Sequence, residues 1–494
     1  TARPRARHGR IVPKAGRASA PSSHESPPPR HAPYRYRPEI LRPAFGLISH
    51  SPISIRRSTH PSASASKPHH PAATGAPSSP PARTHIPQSQ CGHTHLTHGM
   101  ASGGSGRTAT AGTAALLSLV FLLLQVSAGA GAGADCHFPA VFNFGDSNSD
   151  TGGLSAAFGA APPPNGRTFF GMPAGRYCDG RLVIDFIAEN LGIPYLSAYL
   201  NSVGSNFSQG ANFATAGSTI SRQNTSLFLS GFSPISLDVQ SWEFEQFINR
   251  SQFVYNNKGG IYRELLPKAE YFSQALYTFD IGQNDITAGY FANMTTEQVV
   301  AFIPELMERL TSIIQNVHGF GGRNFWIHST GPIGCLPYAL IRRPDIAAVK
   351  DKVGCSVTYN KVAQLFNQRL KETVARLRKT YPDAAFTYVD VYAAKYKLIS
   401  QASKLGFDDP LLTCCGHDAG PYNFDPKVGC GGKVLVKGKW VVLGKSCDDP
   451  GRRVSWDGVH FTEAANKFVF NQIVGGGLSD PPMPLRQACR SKGQ

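Results

Sequence analysis

The apolar run Ala140-Val141-Phe142-Asn143-Phe144 stops abruptly at Gly145-Asp146-Ser147, and small polar residues with two glycines, Gly152 and Gly153, follow. A short apolar run bounded by turn residues reads as a buried strand. A strand that runs straight into a tight turn holds a hydroxyl at the rim of a sheet. In open α/β sheets, ligands bind outside the carboxyl ends of the strands. Ser147 therefore stands where a nucleophile is useful.

The segments that follow alternate in type. Residues 141–144, 275–281, 324–328 and 385–391 are predicted strands; residues 181–191, 296–317, 359–381 and 461–473 carry apolar residues at helical spacing. Thr462 and Glu463 open the last of these helices. Alternating strands and helices argue for an α/β fold with a parallel sheet covered on both faces. Periodicity alone gives no strand order.

The chain divides into three regions. Residues 1–99 contain no Met, Asp or Trp and are crowded with Pro, Ser, Arg and His. Such a composition does not bury enough apolar surface to offset chain entropy, so a disordered leader is expected. The 14 Lys and Arg and two acids before Met100 account for +12 of the formal +17, leaving +5 for the rest. The high pI belongs to the leader, and nucleic-acid binding by the remainder has little support.

Residues 100–134 have the order of a secretory signal peptide: Arg107, an apolar heart from Leu116 to Val126, then small residues to Ala134. The apolar part is short for a membrane span, so cleavage near Ala134 is expected, with no stable membrane anchor afterwards. A signal peptide works at an N-terminus. Residues 1–99 are therefore read as upstream sequence joined to the frame, with an organelle transit peptide as the alternative. Residues 135–494 form one large domain, with no linker or repeat.

Nine cysteines follow residue 134, and Asn206, Asn224, Asn249 and Asn293 each open a glycosylation sequon. Both features fit a secreted, extracellular or cell-wall protein. Nine is odd, so at least one thiol is free or pairs outside the chain. Zinc is the rival for Cys414, Cys415, Cys430 and Cys447, although no Cys-x-x-Cys or paired His accompanies them. No metal or cofactor is expected.

Ser147 needs a base. Eleven of the sixteen histidines precede Met100, leaving His137, His318, His328, His417 and His460. His318 follows an amphipathic helix and His328 lies on an apolar strand, and both read as structural. His460 is the best placed, in Asp457-Gly458-Val459-His460 just before a helix. That spacing lets the carboxylate hold one ring nitrogen while the other faces a serine. Acyl transfer also needs hydrogen-bond donors for a developing oxyanion. Asn284, in Gly282-Gln283-Asn284-Asp285 after a strand, and the segment from Gly210 to Gly217 offer them.

Two rival readings of the serine segment fail on detail. Asp146-x-Asn148-x-Asp150 looks like the start of a calcium loop, but the sixth and twelfth positions are Thr151 and Ala157 instead of Gly and Glu. A phosphate cradle lacks its glycine-rich signature and leaves Asp457 and His460 unexplained.

The four blocks Phe144-Gly145-Asp146-Ser147, Gly210 to Gly217, Gly282-Gln283-Asn284-Asp285 and Asp457-Gly458-Val459-His460 occur in that order. Together they resemble the plant GDSL esterase/lipase family of the SGNH hydrolases, over essentially all of residues 135–489. The absence of Gly-x-Ser-x-Gly around Ser147 agrees with this family and departs from the α/β-hydrolases. The resemblance implies a three-layer α/β/α, flavodoxin-like fold with a parallel sheet of about five strands. It implies Ser147 as nucleophile, His460 as general base and acid, and Asp457 as its orienting partner. The implied oxyanion hole uses the Ser147 N–H, Gly217 (Gly210 as alternative) and Asn284. The expected substrate is a carboxylic ester, an acetylated glycan or acylated glycoside, with longer acyl esters as runner-up. A non-catalytic glycan-binding relative is the reading from another class. Oligomeric state is not legible.

Overall fold

The computed structural model describes residues 135–417 and 420–490. The expected leader and signal peptide lie outside the described residues. Five parallel strands form the sheet: β1 (Val141–Gly145), β2 (Gly210–Asn212), β3 (Leu276–Asp280), β4 (Asn324–His328) and β5 (Ala385–Val389). Their order is β2-β1-β3-β4-β5, and the two-residue strand Ser479–Asp480 adds to β5 antiparallel as a sixth. This order is the flavodoxin-like doubly wound one, whose direction of winding reverses between β1 and β3. Ser147 follows β1 and Asn284 follows β3, so both stand at that switch point.

The strands read as apolar runs because both of their faces are covered. On one face, Phe142, Tyr277, Phe325 and Phe386 stack across neighbouring strands at ring separations of 5.4, 5.5 and 4.6 Å. Helix Leu237–Lys258 lays Phe244 and Phe247 on this ladder. That helix packs on helix Thr296–Gly319, which packs on Val357–Thr380. A second group, Val183–Leu191, Val391–Ser400 and Glu463–Ile473, completes three layers. The helix Leu237–Lys258 was not anticipated: its Gln, Glu, Asn and Arg residues blur the apolar stripe that periodicity relies on.

A polar row crosses the sheet through β1. Asn143 is in register with Asn212 and Thr278. Its amide donates to Asn212 Oδ1 at 2.7 Å and to Ser149 Oγ at 3.0 Å, and Thr278 Oγ1 donates to its Oδ1 at 2.7 Å. Buried polar groups require such partners, and here they also hold the loop that carries Ser147.

Four disulfides join Cys136 to Cys489, Cys335 to Cys355, Cys414 to Cys447 and Cys415 to Cys430. The last two overturn the zinc alternative: those four sulfurs are spent on covalent pairs. Among the described residues Cys178 is the one free thiol, buried, and burial first of all pushes its pKa upward. All four sequon asparagines, Asn206, Asn224, Asn249 and Asn293, are exposed.

Candidate active site

The turn after β1 requires a glycine at its first position. A Cβ on Gly145 would meet the Asp280 carbonyl and Ser149 Oγ, each at 2.5 Å. Gln240 grips the same residue, accepting from Gly145 N–H at 2.9 Å and donating to its carbonyl at 2.8 Å. Asp146 N–H donates to the Asp280 carbonyl at 3.1 Å. Ser147 is thus held on the turn after β1, 4 % exposed.

Asp150, read from sequence only as a failed calcium ligand, proves to be a clamp. Its carboxylate accepts from the N–H groups of Gly152, Gly153 and Leu154 at 2.7, 2.5 and 3.1 Å, and from Ala216 at 2.7 Å. One side chain therefore caps the helix after the serine turn and fixes the loop that carries Gly217. Those four donors spend the carboxylate oxygens that calcium would need.

The two glycines offered for the oxyanion hole separate in space. Gly210 pairs with Val141 at the start of β1, the sheet end opposite Ser147. Gly217 lies beyond the carboxyl end of β2 with φ +80°, which a side chain would strain, and its neighbour Ala216 is held by Asp150. The alternative Gly210 is thereby corrected: it is a sheet residue. Asn284 is buried and donates one amide N–H to the Ser218 carbonyl at 2.9 Å, which leaves the other N–H for a ligand. Asp285 locks the same loop, accepting from Ile220 and Ser221 N–H at 2.9 and 3.1 Å. Burial pushes the Asp285 carboxyl up to about 7.

The histidine turn is built as tightly. Asp457 Oδ1 accepts from Val459 and His460 N–H at 3.0 and 2.8 Å, and its Oδ2 lies 2.6 Å from His460 Nδ1. Gly458, with φ +89°, allows the chain to fold back this sharply. Burial opposes ionisation of Asp457, but the charge and hydrogen bond of His460 outweigh it and hold the carboxyl below its usual range. His460 Nε2 is buried and has no hydrogen-bond partner among the described residues. Cys414 and Cys415 N–H donate to the Ser455 and Trp456 carbonyls at 3.0 and 2.5 Å, so two disulfides brace this turn.

Lys395 brings the serine and histidine turns together. Buried, it donates to Asn148 Oδ1 at 3.1 Å and lies 4.9 Å over the ring of Phe461, the residue after His460. Burial lowers its pKa, against the attraction of Asp280 and Asp146. A lysine in the apolar stripe formed by Val391, Ala394 and Leu398 was the sequence signal for it, since a buried charge needs partners. Tyr177 approaches from the other side, its ring 5.8 Å from that of His460. At the ends of β4 and β3, His328 Nδ1 lies 3.3 Å from Asp280 Oδ2. Burial, then repulsion from Asp280, drives the Asp146 carboxyl upward. No cluster that suits a metal ion occurs among the described residues.

A serine at the switch point, a carboxylate-bound imidazole on a turn joined to it through Lys395, and an amide with a spare N–H are the kinds of group a serine ester hydrolase uses. The family model described as GDSL-like Lipase/Acylhydrolase matches residues 141–473. The chain belongs to this family. A maize (Zea mays) relative, "GDSL esterase/lipase ACHE", is 82% identical over 360 residues, 73% of this chain and 91% of that protein. Two Arabidopsis thaliana relatives are each 59% identical. "GDSL esterase/lipase At3g26430" aligns over 72% of this chain and 93% of its own length, and "Alpha-L-fucosidase 3" over 76% and 98%. The chain is accordingly a carboxylic ester hydrolase of the GDSL family with plant relatives, and the non-catalytic reading falls away.

Proposed function

We propose that this GDSL hydrolase works through an acyl-serine intermediate with Ser147 as nucleophile, His460 as base and acid, and Asp457 as its orienting partner. The observation that carries the reading is the open Nε2 of an imidazole whose Nδ1 is engaged by Asp457 at 2.6 Å. Ser147 Oγ attacks the ester carbonyl carbon while His460 Nε2 takes the hydroxyl proton. The carbonyl oxygen becomes an oxyanion that the Ser147 and Gly217 N–H groups and Asn284 Nδ2 receive. Collapse expels the alkoxide, which takes the proton back from the imidazolium. Water, deprotonated by His460, then attacks the acyl-serine; collapse expels Ser147 Oγ, which takes that proton back from His460, and the acid leaves.

The alcohol half of the substrate is proposed to be sugar-like. A cavity of ≈ 470 Å³ opens beside the nucleophile loop at Thr151, Gly152 and Ser155. Tyr195, Ser197 and Asn201 also line it beside the apolar Ala156, Phe170 and Leu196, giving hydroxyl and amide contacts suited to hydroxyl groups. Acetylated cell-wall glycans or acylated glycosides are therefore the preferred substrates, with longer acyl esters as the competing class. Secretion is part of the proposal, supported by the four disulfides and the four exposed sequon asparagines.

A fluorophosphonate should label the folded protein, and Ser147→Ala should abolish both labelling and turnover with the melting temperature nearly unchanged. Turnover surviving in Ser147→Ala would refute the nucleophile. A panel of acetylated xylan, acylated glycosides, long-chain esters and an α-L-fucoside then ranks the substrates. Preference for the long-chain esters would overturn the sugar reading.

A further inference from the structure

The ribbon formed by Lys433–Val436 and Lys439–Val442 is built against ordinary solubility. The strands pair antiparallel, with Leu435 opposite Trp440 and Val434 opposite Val441. They turn through Lys437 and Gly438 at φ +48° and +78°, the two positive values of a two-residue hairpin turn. Trp440 is 69% exposed and Leu435 60%, and Val436, Val441 and Val442 are exposed with them. Residues opposite one another share a face, so apolar groups stand on both faces. An isolated two-stranded ribbon is marginal in water, and contiguous exposed apolar surface of this kind marks a contact site.

Charge decides what the contact is. Residues 426–447 contain five lysines and no acid, three of the lysines (Lys433, Lys437 and Lys439) lying on the ribbon itself. A second copy of this chain would set lysine against lysine. A polysaccharide needs directional polar groups, and residues 433–442 hold no hydroxyl, amide or carboxylate side chain. Tryptophan, aliphatic side chains and lysine are the combination that settles at a lipid–water interface: the ring sits at headgroup level and the ammonium groups meet anionic phosphates. We propose that this ribbon is a peripheral docking element for a lipid surface with anionic headgroups. It is a surface contact and not a span. The disulfides Cys414–Cys447 and Cys415–Cys430 close its base, so its position does not depend on the docked partner.

The inference is independent of the ester chemistry, and its test is read on the Ser147→Ala protein so that no lipid is consumed. Co-sedimentation with phosphatidylcholine vesicles containing phosphatidylserine should retain the protein at low salt, with far less retained on phosphatidylcholine alone. Replacing Lys433, Lys437 and Lys439 by Gln should lower partitioning about a hundredfold, near fivefold per lysine. Trp440→Ala should lower it while leaving the thermal melt unchanged, because Trp440 is outside the buried core. The proposal is overturned by absence of vesicle binding, or by binding that both variants retain. Capture by polygalacturonate in place of vesicles would overturn it in favour of an acidic glycan. A dimer that Trp440→Ala dissolves would do so in favour of a second copy.

Discussion

Of the three aspartate–histidine pairs among the described residues, the two that are buried are chemically alike. Asp457 holds His460 Nδ1 at 2.6 Å, and Asp280 holds His328 Nδ1 at 3.3 Å. In both, the ring Nε2 is buried without a hydrogen-bond partner among the described residues. In both, burial opposes ionisation of the aspartate and the histidine prevails, keeping the carboxyl below its usual range. They differ in mounting. Asp457 and His460 share one turn that also uses the second carboxylate oxygen to fix its own backbone. Asp280 and His328 sit at the ends of neighbouring strands, with Asp146 and Lys395 as charged neighbours of Asp280. An acid–histidine contact is therefore no mark of catalysis. In the proposed mechanism the pair on the turn meets the substrate, and the pair at the strand ends does not.

The sharpest way to break this comparison is to replace both acids. Asp457→Asn should cost about 10⁴ in kcat by favouring the wrong tautomer, whereas Asp280→Asn should cost less than about tenfold and show its main effect in the thermal melt. A larger kinetic loss from Asp280→Asn would exchange the two roles. Next in size, Asn284→Ala should lower kcat by about 10²–10³ with KM little changed. A loss under about threefold would remove Asn284 from the oxyanion hole.

Lys395 touches both regions, so its removal tests how far they are separate. Lys395→Met should lower kcat by roughly 10- to 100-fold through a displaced serine turn, and Lys395→Arg should recover part of it. The folded-state pKa of Asp146 is raised, so its ionised form is the disfavoured one. Destabilisation in Lys395→Met should therefore be smallest at acid pH and grow as pH rises and Asp146 ionises. A melt that changes equally at every pH would leave Lys395 as packing alone.

The smallest effect concerns a carboxyl that has no histidine. Glu243 Oε2 is buried without a partner, and burial pushes its pKa up to about 7. Because the folded pKa is raised, stability is full below the ordinary glutamate pKa and is lost as pH rises toward 7. Glu243→Gln should leave the melt unchanged near pH 4 and stabilise by about 1–3 kcal/mol at pH 8. No gain at pH 8 would show that Glu243 is compensated in solution.

The parts set by local chain chemistry were legible in the residues. Strands β1, β3, β4 and β5 were visible because a doubly covered strand is an unbroken apolar run. The Asp457–His460 pair was visible because three residues and a glycine suffice to close it. Helix Leu237–Lys258 was hidden by its mixed polarity, although it supplies Gln240 to the serine turn. Asp150 was rightly rejected as a calcium ligand, but its clamp was not legible, because its fourth donor, Ala216, is 66 residues away. The disulfide pairing of Cys414 with Cys447 and Cys415 with Cys430 likewise awaited the fold, since spacing allows several pairings and the zinc alternative as well.

The sequence by itself determined which groups can do chemistry: one serine at a strand end, one histidine with an aspartate three residues before it, and an amide after another strand. These follow from periodicity and turn chemistry, which act over a few residues. Tertiary structure decided which like group does what. It set Gly217 beyond the carboxyl end of β2 and Gly210 at the far end of the sheet, buried His328 against Asp280, and laid Lys395 between the two turns. Such choices rest on contacts between residues tens to hundreds of positions apart, and only the strand order β2-β1-β3-β4-β5 brings those residues to one edge.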